Sequence, residues 1–453
     1  MTPLKSWITT AFVLTAVSIS ANAENSVAQT PPMGWNSFDG FYSSVTEDEM
    51  KANALYVEKL LKPYGWEYIV VDYCWSYPVP GSLRNAPQTE DFIPALTMDE
   101  YARVLPAVER FPSAANGAGF KPLADHIHSL GLKFGIHIMR GIPRQAVAWK
   151  TKIKGTNVTA ADIADTSSTA SWINHMYGVD MTKEGAQEYY DSLFELYASW
   201  GVDYVKVDDI SYPYQDAEIE AIHKAIEKCG RPMVLSLSLG PTPLEKAEHV
   251  KKYAHMWRMS GDFWDRWPAL LKMFDYCEEW APHVGPGNWP DADMLPLGRL
   301  TVRSRPGLGP ERWSNFTLEE QYTVMTLWSI FRSPLMLGGD VTQIDSVTLS
   351  LLNNHEVLAV NQNSTNNRLL FRDGSEIAWV AEDPNTGDTY LAVFNVGEKR
   401  TRVSVDLNKL CGEGKIAIRD LWLKEDIGVH EGLFSPMVFP HGASLFRLSP
   451  VGE

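Results

Sequence analysis

Residues 203–209 of the chain have the sequence DYVKVDD. Its tyrosine and valines are typical of a buried strand, yet Lys206, Asp208 and Asp209 place three ionisable groups at its end. Because side chains alternate between the two faces of a strand, Tyr204, Lys206 and Asp208 share one face. Charged groups are costly inside a closed core. The pattern therefore indicates a strand whose end lies at an open edge of its sheet.

Seven other stretches repeat this pattern of an apolar run that becomes polar. With the first, they are residues 33–38, 68–75, 133–140, 203–209, 233–239, 256–262, 289–295 and 333–340. The segments between them have apolar residues at helical spacing, for example residues 47–65, 182–201 and 317–331. Eight strand–helix units over about 300 residues predict an α/β fold, a (β/α)8 TIM barrel. The alternative is a doubly wound open sheet, but no glycine-rich phosphate turn follows the first strand.

The last part of the chain has a different sequence pattern. From about residue 365, short alternating runs such as EIAWVA (376–381) and YLAVFNV (390–396) are separated by the turn sequences RDGS and NTGD. This pattern predicts a C-terminal antiparallel β-sandwich. We therefore assign residues 24–345 to the barrel domain and residues 346–453 to the sandwich domain.

Residues 1–23 differ from the rest of the chain. Lys5 is their one charged residue, an apolar run WITTAFVLTAV follows it, and ANA precedes Glu24. This arrangement matches a secretory signal peptide that is cut after Ala23. The alternative, a membrane anchor, needs about 20 apolar residues, and this run is shorter and contains threonines. We therefore expect a periplasmic or secreted protein that is not inserted in the membrane after cleavage.

Composition narrows the choice of partners. The chain of 453 residues has a formal net charge of −16, with acids and bases interspersed and no basic run, so we expect no nucleic-acid partner. Its four cysteines have no CxxC spacing, and there is no HExxH sequence, so no zinc site is indicated and we expect no cofactor. Buried thiols are the favoured interpretation, and one disulfide is the alternative. Composition does not set the oligomeric state.

The charged strand ends also predict where the chemistry lies. Reactive residues of a (β/α)8 barrel lie at the C-terminal ends of its strands. In MWRMSGD, residues 256–262, alternation groups Arg258, Ser260 and Asp262 on one face. If both faces point inward, the barrel mouth holds the carboxylates of Asp208 and Asp262 beside a lysine and an arginine. The alternative is that each aspartate only caps the next helix, but two matching strands favour a site.

Paired carboxylates at a sugar-sized pocket suit glycoside hydrolysis. One of them attacks the anomeric carbon, and the other protonates the leaving oxygen. The sequences GWNSF, DYCW, GDFWDRW and GNWPD place aromatic residues near strand ends, where the apolar face of a pyranose can stack on them. This observation is weak alone, because many of the 16 tryptophans also suit the core.

A family resemblance strengthens this hypothesis. In chain order, PPMGWNSF, VVDYCW, GLKFGIHI, YVKVDD, WRMSGDFWD, GPGNWPDADML and EEQYTVMTLWSIFRSPLMLGGD resemble glycoside hydrolase family 27, which contains α-galactosidases and α-N-acetylgalactosaminidases. The resemblance extends over essentially the whole chain after residue 23. It implies a retaining, metal-independent enzyme that releases terminal α-D-galactosyl residues from galactose-containing oligo- or polysaccharides.

The resemblance also implies roles for single residues. Asp208 stands at the nucleophile position of the KxD element, and Asp262 stands at the acid/base position of the RxxxD element. The implied substrate-binding residues are Trp35, Phe38, Asp72, Tyr73, His137, Lys206, Ser238, Arg258 and Asp293.

Four of these positions depart from the usual α-galactosidase pattern. Phe38 stands where many relatives have tryptophan, and Tyr73 stands where α-galactosidases usually have a second acid that contacts a sugar hydroxyl. His137 replaces a frequent tyrosine. Ser238 replaces a larger polar residue, as in the N-acetylgalactosaminidases. These departures bear on which sugar is bound.

We therefore expect an α-galactosidase-like enzyme first. The alternatives within the family are a β-L-arabinopyranosidase, whose sugar has the same ring configuration without the hydroxymethyl group, and an α-N-acetylgalactosaminidase. A catalytically silent carbohydrate-binding homologue is an alternative of a different class. The presence of both Asp208 and Asp262 argues against a silent homologue.

Overall fold

The computed structural model describes residues 27–79, 96–170, 172–303 and 310–451. The predicted signal peptide, residues 1–23, lies outside these ranges. Within them, no helix is long and apolar enough to cross a membrane.

The first part of the chain forms an eight-stranded parallel sheet that closes into a barrel. Its strands are β1 (Met33–Asn36), β2 (Tyr68–Val71), β3 (Lys133–Met139), β4 (Tyr204–Asp208), β5 (Val234–Leu237), β6 (Met256–Arg258), β7 (Trp289–Asp291) and β8 (Leu335–Leu337). The order in the sheet is β7-β6-β5-β4-β3-β2-β1-β8. A parallel bridge between Leu295 and Leu337 joins β8 to the segment after β7. The predicted (β/α)8 barrel is therefore confirmed.

A helix follows each strand. The longer helices are α1 (Glu47–Leu60), α2 (Lys121–Ser129), α3 (Ala186–Trp200), α4 (Asp216–Cys229), α5 (Ala247–Tyr253), α6 (Trp267–Trp280), α7 (Leu318–Phe331), α8 (Ser346–Leu352) and α9 (His355–Asn363). Short helices also form at Phe38–Phe41, Arg144–Ala148 and Ala160–Ile163. Capping boxes formed by Thr46 with Glu49 and by Thr317 with Glu320 begin α1 and α7. Gly201, in the left-handed region with φ 84°, ends α3.

Alternation along β4 separates its side chains between two layers. Val205 is fully buried in the large cluster that strands and helices share. Tyr204 belongs to a second cluster, formed mainly by strand residues inside the barrel, where its ring centroid lies 5.5 Å from that of Tyr68. Lys206 and Asp208 continue the inner face towards the C-terminal mouth. The charged residues therefore lie above an apolar barrel interior.

Two small antiparallel sheets lie in the loops above the barrel. One contains Ile142–Pro143, Met176–Val179 and Ala164–Asp165, between β3 and α3. The other pairs Arg299–Leu300 with Arg312–Trp313, between β7 and α7.

The C-terminal part is antiparallel, as predicted. Its strands are β9 (Thr365–Asp373), β10 (Glu376–Glu382), β11 (Thr389–Asn395), β12 (Thr401–Arg402), β13 (Val405–Asp406), β14 (Ile416–Asp420), β15 (Glu425–His430), β16 (Leu433–Phe434), β17 (Met437–Val438) and β18 (Ala443–Pro450), with a short helix, Leu407–Cys411, after β13. Six strands form a sheet in the order β9-β10-β11-β18-β14-β15, and β12-β17 and β13-β16 form two small sheets. Val393, Ile418 and Phe434 belong to the apolar core that these sheets share.

The barrel and the β-sandwich contact each other through α6 and α7. The ring of His441 stacks on Trp267 with centroids 3.8 Å apart, and its Nδ1 lies 2.9 Å from Oε1 of Glu320. The division of the chain at residue 345 stays a prediction, because α8 and α9 lie between the last barrel strand and the first sandwich strand.

Candidate active site

A cavity of about 290 Å³ lies at the C-terminal mouth of the barrel. Nine of the eleven predicted site residues line it, namely Phe38, Asp72, Tyr73, Lys206, Asp208, Ser238, Arg258, Asp262 and Asp293. They come from the ends of six different strands or the loops that follow them. Barrel closure therefore brings together residues that are far apart in the sequence.

Asp208 is the last residue of β4, and both of its carboxylate oxygens are bound. Its Oδ2 lies 3.0 Å from Nε2 of His137, and its Oδ1 accepts a hydrogen bond of 2.7 Å from the backbone N–H of Asp209. Burial alone raises the pKa of Asp208, but the hydrogen bond and charge of His137, with Lys206, more than offset burial and lower it. The carboxylate is therefore ionised at neutral pH, as a nucleophile requires.

Asp262 has a different environment. It lies in the loop after β6, its side chain is 57% exposed, and its Oδ1 is 3.5 Å from Nη2 of Arg258. Asp208 is only 14% exposed. Of the two carboxyl groups, Asp262 is therefore the one open to solvent, which suits proton exchange with a leaving group and with water.

Arg258 connects the loops after β6 and β7. Its Nη2 lies 2.8 Å from Oδ2 of Asp293, and that oxygen also accepts a hydrogen bond of 2.7 Å from the backbone N–H of Phe263. Burial raises the pKa of Asp293, although Arg258 opposes the rise. Because Phe263 follows Asp262 directly, these contacts also fix the loop that carries the exposed acid.

Lys206 and Asp72 form a second buried pair. Lys206 Nζ lies 3.1 Å from Asp72 Oδ2, which also accepts a hydrogen bond of 2.8 Å from Asn36 Nδ2. Burial raises the pKa of Asp72, but the charges of Lys206 and His137 and the Asn36 hydrogen bond lower it to about 2. Both members of the pair are therefore charged, and they place a donor and an acceptor side by side at the cavity.

Tyr73 forms part of the cavity wall. Its side chain is buried among aromatic rings, with centroids 5.2 Å from Trp172 and 5.8 Å from His137. These neighbours hold the phenol in a fixed position in the wall.

Two predicted residues do not line the cavity. His137 is 2% exposed and reaches the site through its hydrogen bond to Asp208. Trp35 is fully buried in the layer shared with the helices, where its Nε1 donates to the carbonyl of Gly339 at 2.8 Å. Alternation along β1 explains this placement, because Asn36 points inward to Asp72 and Trp35 therefore points outward. Trp35 therefore lies outside the cavity, and its part in substrate binding stays a prediction.

Several lining residues were absent from the sequence-based site. They are Asp39, Trp172, Leu239, Phe263, Trp264 and Met294. Phe263 and Trp264 follow Asp262 directly, and Asp39 follows β1 after two residues, so the rule that barrel sites lie after strands identifies them. Trp172 lies in the long loop between β3 and α3, where no local pattern distinguishes it.

Comparisons with known proteins agree with this arrangement. Residues 177–363 match the family model described as alpha galactosidase A, and residues 373–448 match that of the alpha galactosidase C-terminal beta sandwich domain. The chain is 26% identical to an α-galactosidase of Oryza sativa subsp. japonica, over 94% of this chain and 86% of that protein. These matches and the acidic barrel mouth define the protein as a glycoside hydrolase.

Two solved structures specify the family. A GH27-β-L-arabinopyranosidase from Geobacillus stearothermophilus superposes with a TM-score of 0.90 at 55% identity, covering 94% of this chain and 98% of that chain. A putative α-N-acetylgalactosaminidase from Bacillus halodurans C-125 superposes with a TM-score of 0.83 at 47% identity, covering the same shares of the two chains. The chain belongs to glycoside hydrolase family 27.

Proposed function

We propose that the enzyme releases terminal β-L-arabinopyranosyl residues from oligo- or polysaccharides with retention of configuration. Asp208 is the nucleophile and Asp262 is the acid/base in this proposal. The observation that carries the choice of sugar is the buried phenol of Tyr73 in the cavity wall.

The two candidate sugars differ at one substituent. α-D-Galactopyranosides and β-L-arabinopyranosides share the configuration of the ring, and only galactose has an exocyclic hydroxymethyl group. Tyr73 fills volume and offers no carboxylate acceptor for that group. A lost hydrogen bond to a charged partner is worth about 1.5 to 3 kcal/mol. The site therefore gains less from a hydroxymethyl group than a two-acid site does.

The comparisons change the order of the candidates. The sequence alone favours α-D-galactoside hydrolysis, but the solved relative at 55% identity is a β-L-arabinopyranosidase. The α-galactosidase of Oryza sativa is 26% identical. We keep α-D-galactosides as weaker substrates, because the ring configuration is shared.

The α-N-acetylgalactosaminidase alternative rests on a separate observation. Ser238 lines the cavity, and its small side chain leaves room beside the sugar. The solved relative at 47% identity is a putative α-N-acetylgalactosaminidase. Activity on an aryl N-acetyl-α-D-galactosaminide distinguishes this alternative from hydrolysis of β-L-arabinopyranosides or α-D-galactosides.

The proposed reaction has two displacements. In the first, a carboxylate oxygen of Asp208 attacks the anomeric carbon while the proton of Asp262 moves to the departing oxygen, which gives a covalent glycosyl-enzyme and the free alcohol. In the second, Asp262 takes a proton from water, and the resulting hydroxide displaces Asp208 from the anomeric carbon. Both carboxyl groups then have their original protonation states.

A panel of aryl glycosides tests the proposal. We expect kcat/KM for p-nitrophenyl β-L-arabinopyranoside to exceed that for the α-D-galactopyranoside by about tenfold or more, with little activity on the N-acetyl-α-D-galactosaminide. NMR of the first product formed should show the anomer of the substrate. A higher kcat/KM for the galactoside than for the arabinopyranoside contradicts the proposed sugar, and the inverted anomer contradicts the mechanism.

Export of the protein is a separate proposal. It is supported by the sequence of residues 1–23, with its single lysine, apolar run and ANA cleavage site. Expression in a bacterial host followed by N-terminal sequencing should show a mature protein that begins at Glu24 outside the cytoplasm. Recovery of the uncut chain from the cytoplasm alone contradicts this proposal.

A further inference from the structure

Arg140, the residue after β3, is buried behind Asp208 at 3% exposure. Its Nε donates to the carbonyl oxygen of Asp209 at 2.5 Å, and its Nη2 lies 3.1 Å from Oδ2 of the same residue. Its Nη1 donates to Oε1 of Glu218 on α4 at 2.9 Å. The guanidinium therefore binds both the backbone and the side chain of the residue that follows Asp208.

The backbone of Arg140 holds the preceding peptide, the one between Asp208 and Asp209. Its N–H donates to the carbonyl oxygen of Asp208 at 3.0 Å, in continuation of the β3–β4 pairing. Asp209 has φ 59°, in the left-handed region that residues other than glycine rarely adopt. In this conformation its N–H donates to Oδ1 of Asp208 at 2.7 Å. The contacts of Arg140 therefore stabilise the backbone that orients the carboxylate.

We propose that Arg140 and Asp209 are positioning residues for glycosyl transfer, which hold the Asp208–Asp209 peptide so that the Asp209 N–H fixes the reactive carboxylate. This inference rests on the proposed role of Asp208 as nucleophile. Arg140 reaches Asp208 from behind the cavity and is not among the residues that line it.

The buried ion cluster of Arg140, Asp209 and Glu218 includes contacts with helices α3 and α4. The hydroxyl of Tyr190 on α3 donates to Oε2 of Glu218, and it accepts a hydrogen bond of 3.1 Å from the N–H of Gly141. Replacement of a buried ion cluster by apolar residues is often neutral or stabilising. A contribution to stability alone therefore does not explain why these charged residues are buried here. A fixed geometry at the end of β4 is what this arrangement supplies.

The charge of the cluster gives a readout that a merely structural role lacks. The charged groups that face Asp209 are Arg140, Asp208 and Glu218, with Tyr190 behind Glu218. Burial raises the pKa of Asp209 to about 6, with Arg140 opposing the rise and the two other carboxylates adding to it. Protonation of Asp209 removes its ion pair with Arg140, so kcat of the wild-type enzyme should fall as the pH drops through about 6.

Two variants and a matched control test the proposal, with kcat and KM measured on aryl glycosides with good and poor leaving groups. Arg140→Lys keeps the positive charge but loses the planar guanidinium, which donates to several acceptors at once. We expect kcat to fall about 10- to 100-fold for both leaving groups, with KM changed less than about threefold. Asp209→Asn should lower kcat less than Arg140→Lys does, and it should abolish the fall in kcat as the pH drops through about 6. Arg332→Lys alters a buried arginine that donates to three backbone carbonyls away from the site, and should lower the melting temperature without changing kcat.

The possible outcomes separate this inference from the proposed function. Wild-type kcat and a wild-type pH profile in both folded variants, together with an inactive Asp208→Ala, overturn the positioning role alone. Activity in Asp208→Ala overturns the proposed function. If Arg140→Lys does not fold, Asp209→Asn decides by the same criteria, with circular dichroism used to establish that it is folded.

Discussion

Nε2 of His137 lies 3.0 Å from Oδ2 of Asp208, and the ring of His137 meets that of Tyr73 edge-on at 5.8 Å. One histidine behind the cavity wall therefore contacts both the proposed nucleophile and the residue on which the choice of sugar depends. Its removal is expected to change the acid–base behaviour of the site.

Replacement of His137 by phenylalanine removes this hydrogen bond while keeping an aromatic ring beside Tyr73. The pKa of Asp208 should rise, because burial is then opposed by fewer favourable contacts. Since Asp208 must be ionised to attack, the acidic limb of kcat/KM should move to higher pH. At neutral pH we expect a loss of about 10- to 100-fold, the effect of one hydrogen bond to a charged group.

The pH profile of kcat/KM measures this effect. His223→Phe, on α4 beside Tyr253, is a matched control that should leave the profile unchanged. An unshifted acidic limb in His137→Phe shows that the histidine does not support the ionised state of Asp208.

The two proposed catalytic aspartates should respond differently to alanine. Asp262→Ala should keep residual activity on substrates with good leaving groups, which need little protonation, and azide should rescue the second displacement. Asp208→Ala should lose activity on all substrates, because the covalent step has no other nucleophile. Steady-state kinetics with a series of aryl leaving groups measures the difference. Equal losses in both variants, independent of the leaving group, overturn the assignment of roles.

Substitution of Tyr73 tests the choice of sugar. Tyr73→Asp restores a carboxylate acceptor and frees volume in the wall, so the ratio of kcat/KM should shift about 10- to 100-fold towards α-D-galactosides. Tyr73→Phe is the matched control, because it keeps the volume without adding an acceptor. The measurement is the ratio of kcat/KM for the two p-nitrophenyl glycosides. If the ratio is the same in wild type and Tyr73→Asp, Tyr73 does not determine specificity.

The buried pair of Asp72 and Lys206 should make stability depend on pH. The pKa of Asp72 is lowered from 3.8 to about 2 on folding by Lys206 and other neighbours, against burial. A depressed pKa contributes stability above the unfolded value, and this stability is lost as the pH falls from about 4 to about 2. Asp72→Asn should therefore lower the free energy of unfolding at pH 7 by about 2 kcal/mol and reduce its slope in that acid window.

Urea unfolding of both proteins between pH 7 and pH 2 measures this dependence. Asp125→Asn, an exposed aspartate paired with Lys121, is the control and should change the stability little. A difference between wild type and Asp72→Asn that is constant over the whole pH range contradicts the lowered pKa.

The sequence alone determined the architecture and the inner face of the site. All eight barrel strands were identified, because an apolar run that ends in polar residues is a local property of the chain. The predicted ends of the strands are less accurate. The stretch 256–262 contains a strand only over Met256–Arg258, because the alternation of side chains continues into the loop that follows. Alternation also assigned Lys206 and Asp208 to one face, because backbone geometry fixes that relation within a strand.

The tertiary structure alone decided which residues meet at the site. His137 contacts Asp208, and Arg140 contacts Asp209, although no local sequence pattern relates the two residues of either pair. Trp172 lines the cavity from a loop that no sequence pattern distinguishes. Barrel closure also set that Asn36 faces the interior, and alternation then directs its neighbour Trp35 away from the cavity. The physical reason is that alternation and spacing operate within one element. Contacts between elements depend on the register of the closed sheet and on loop conformations such as the left-handed backbone of Asp209.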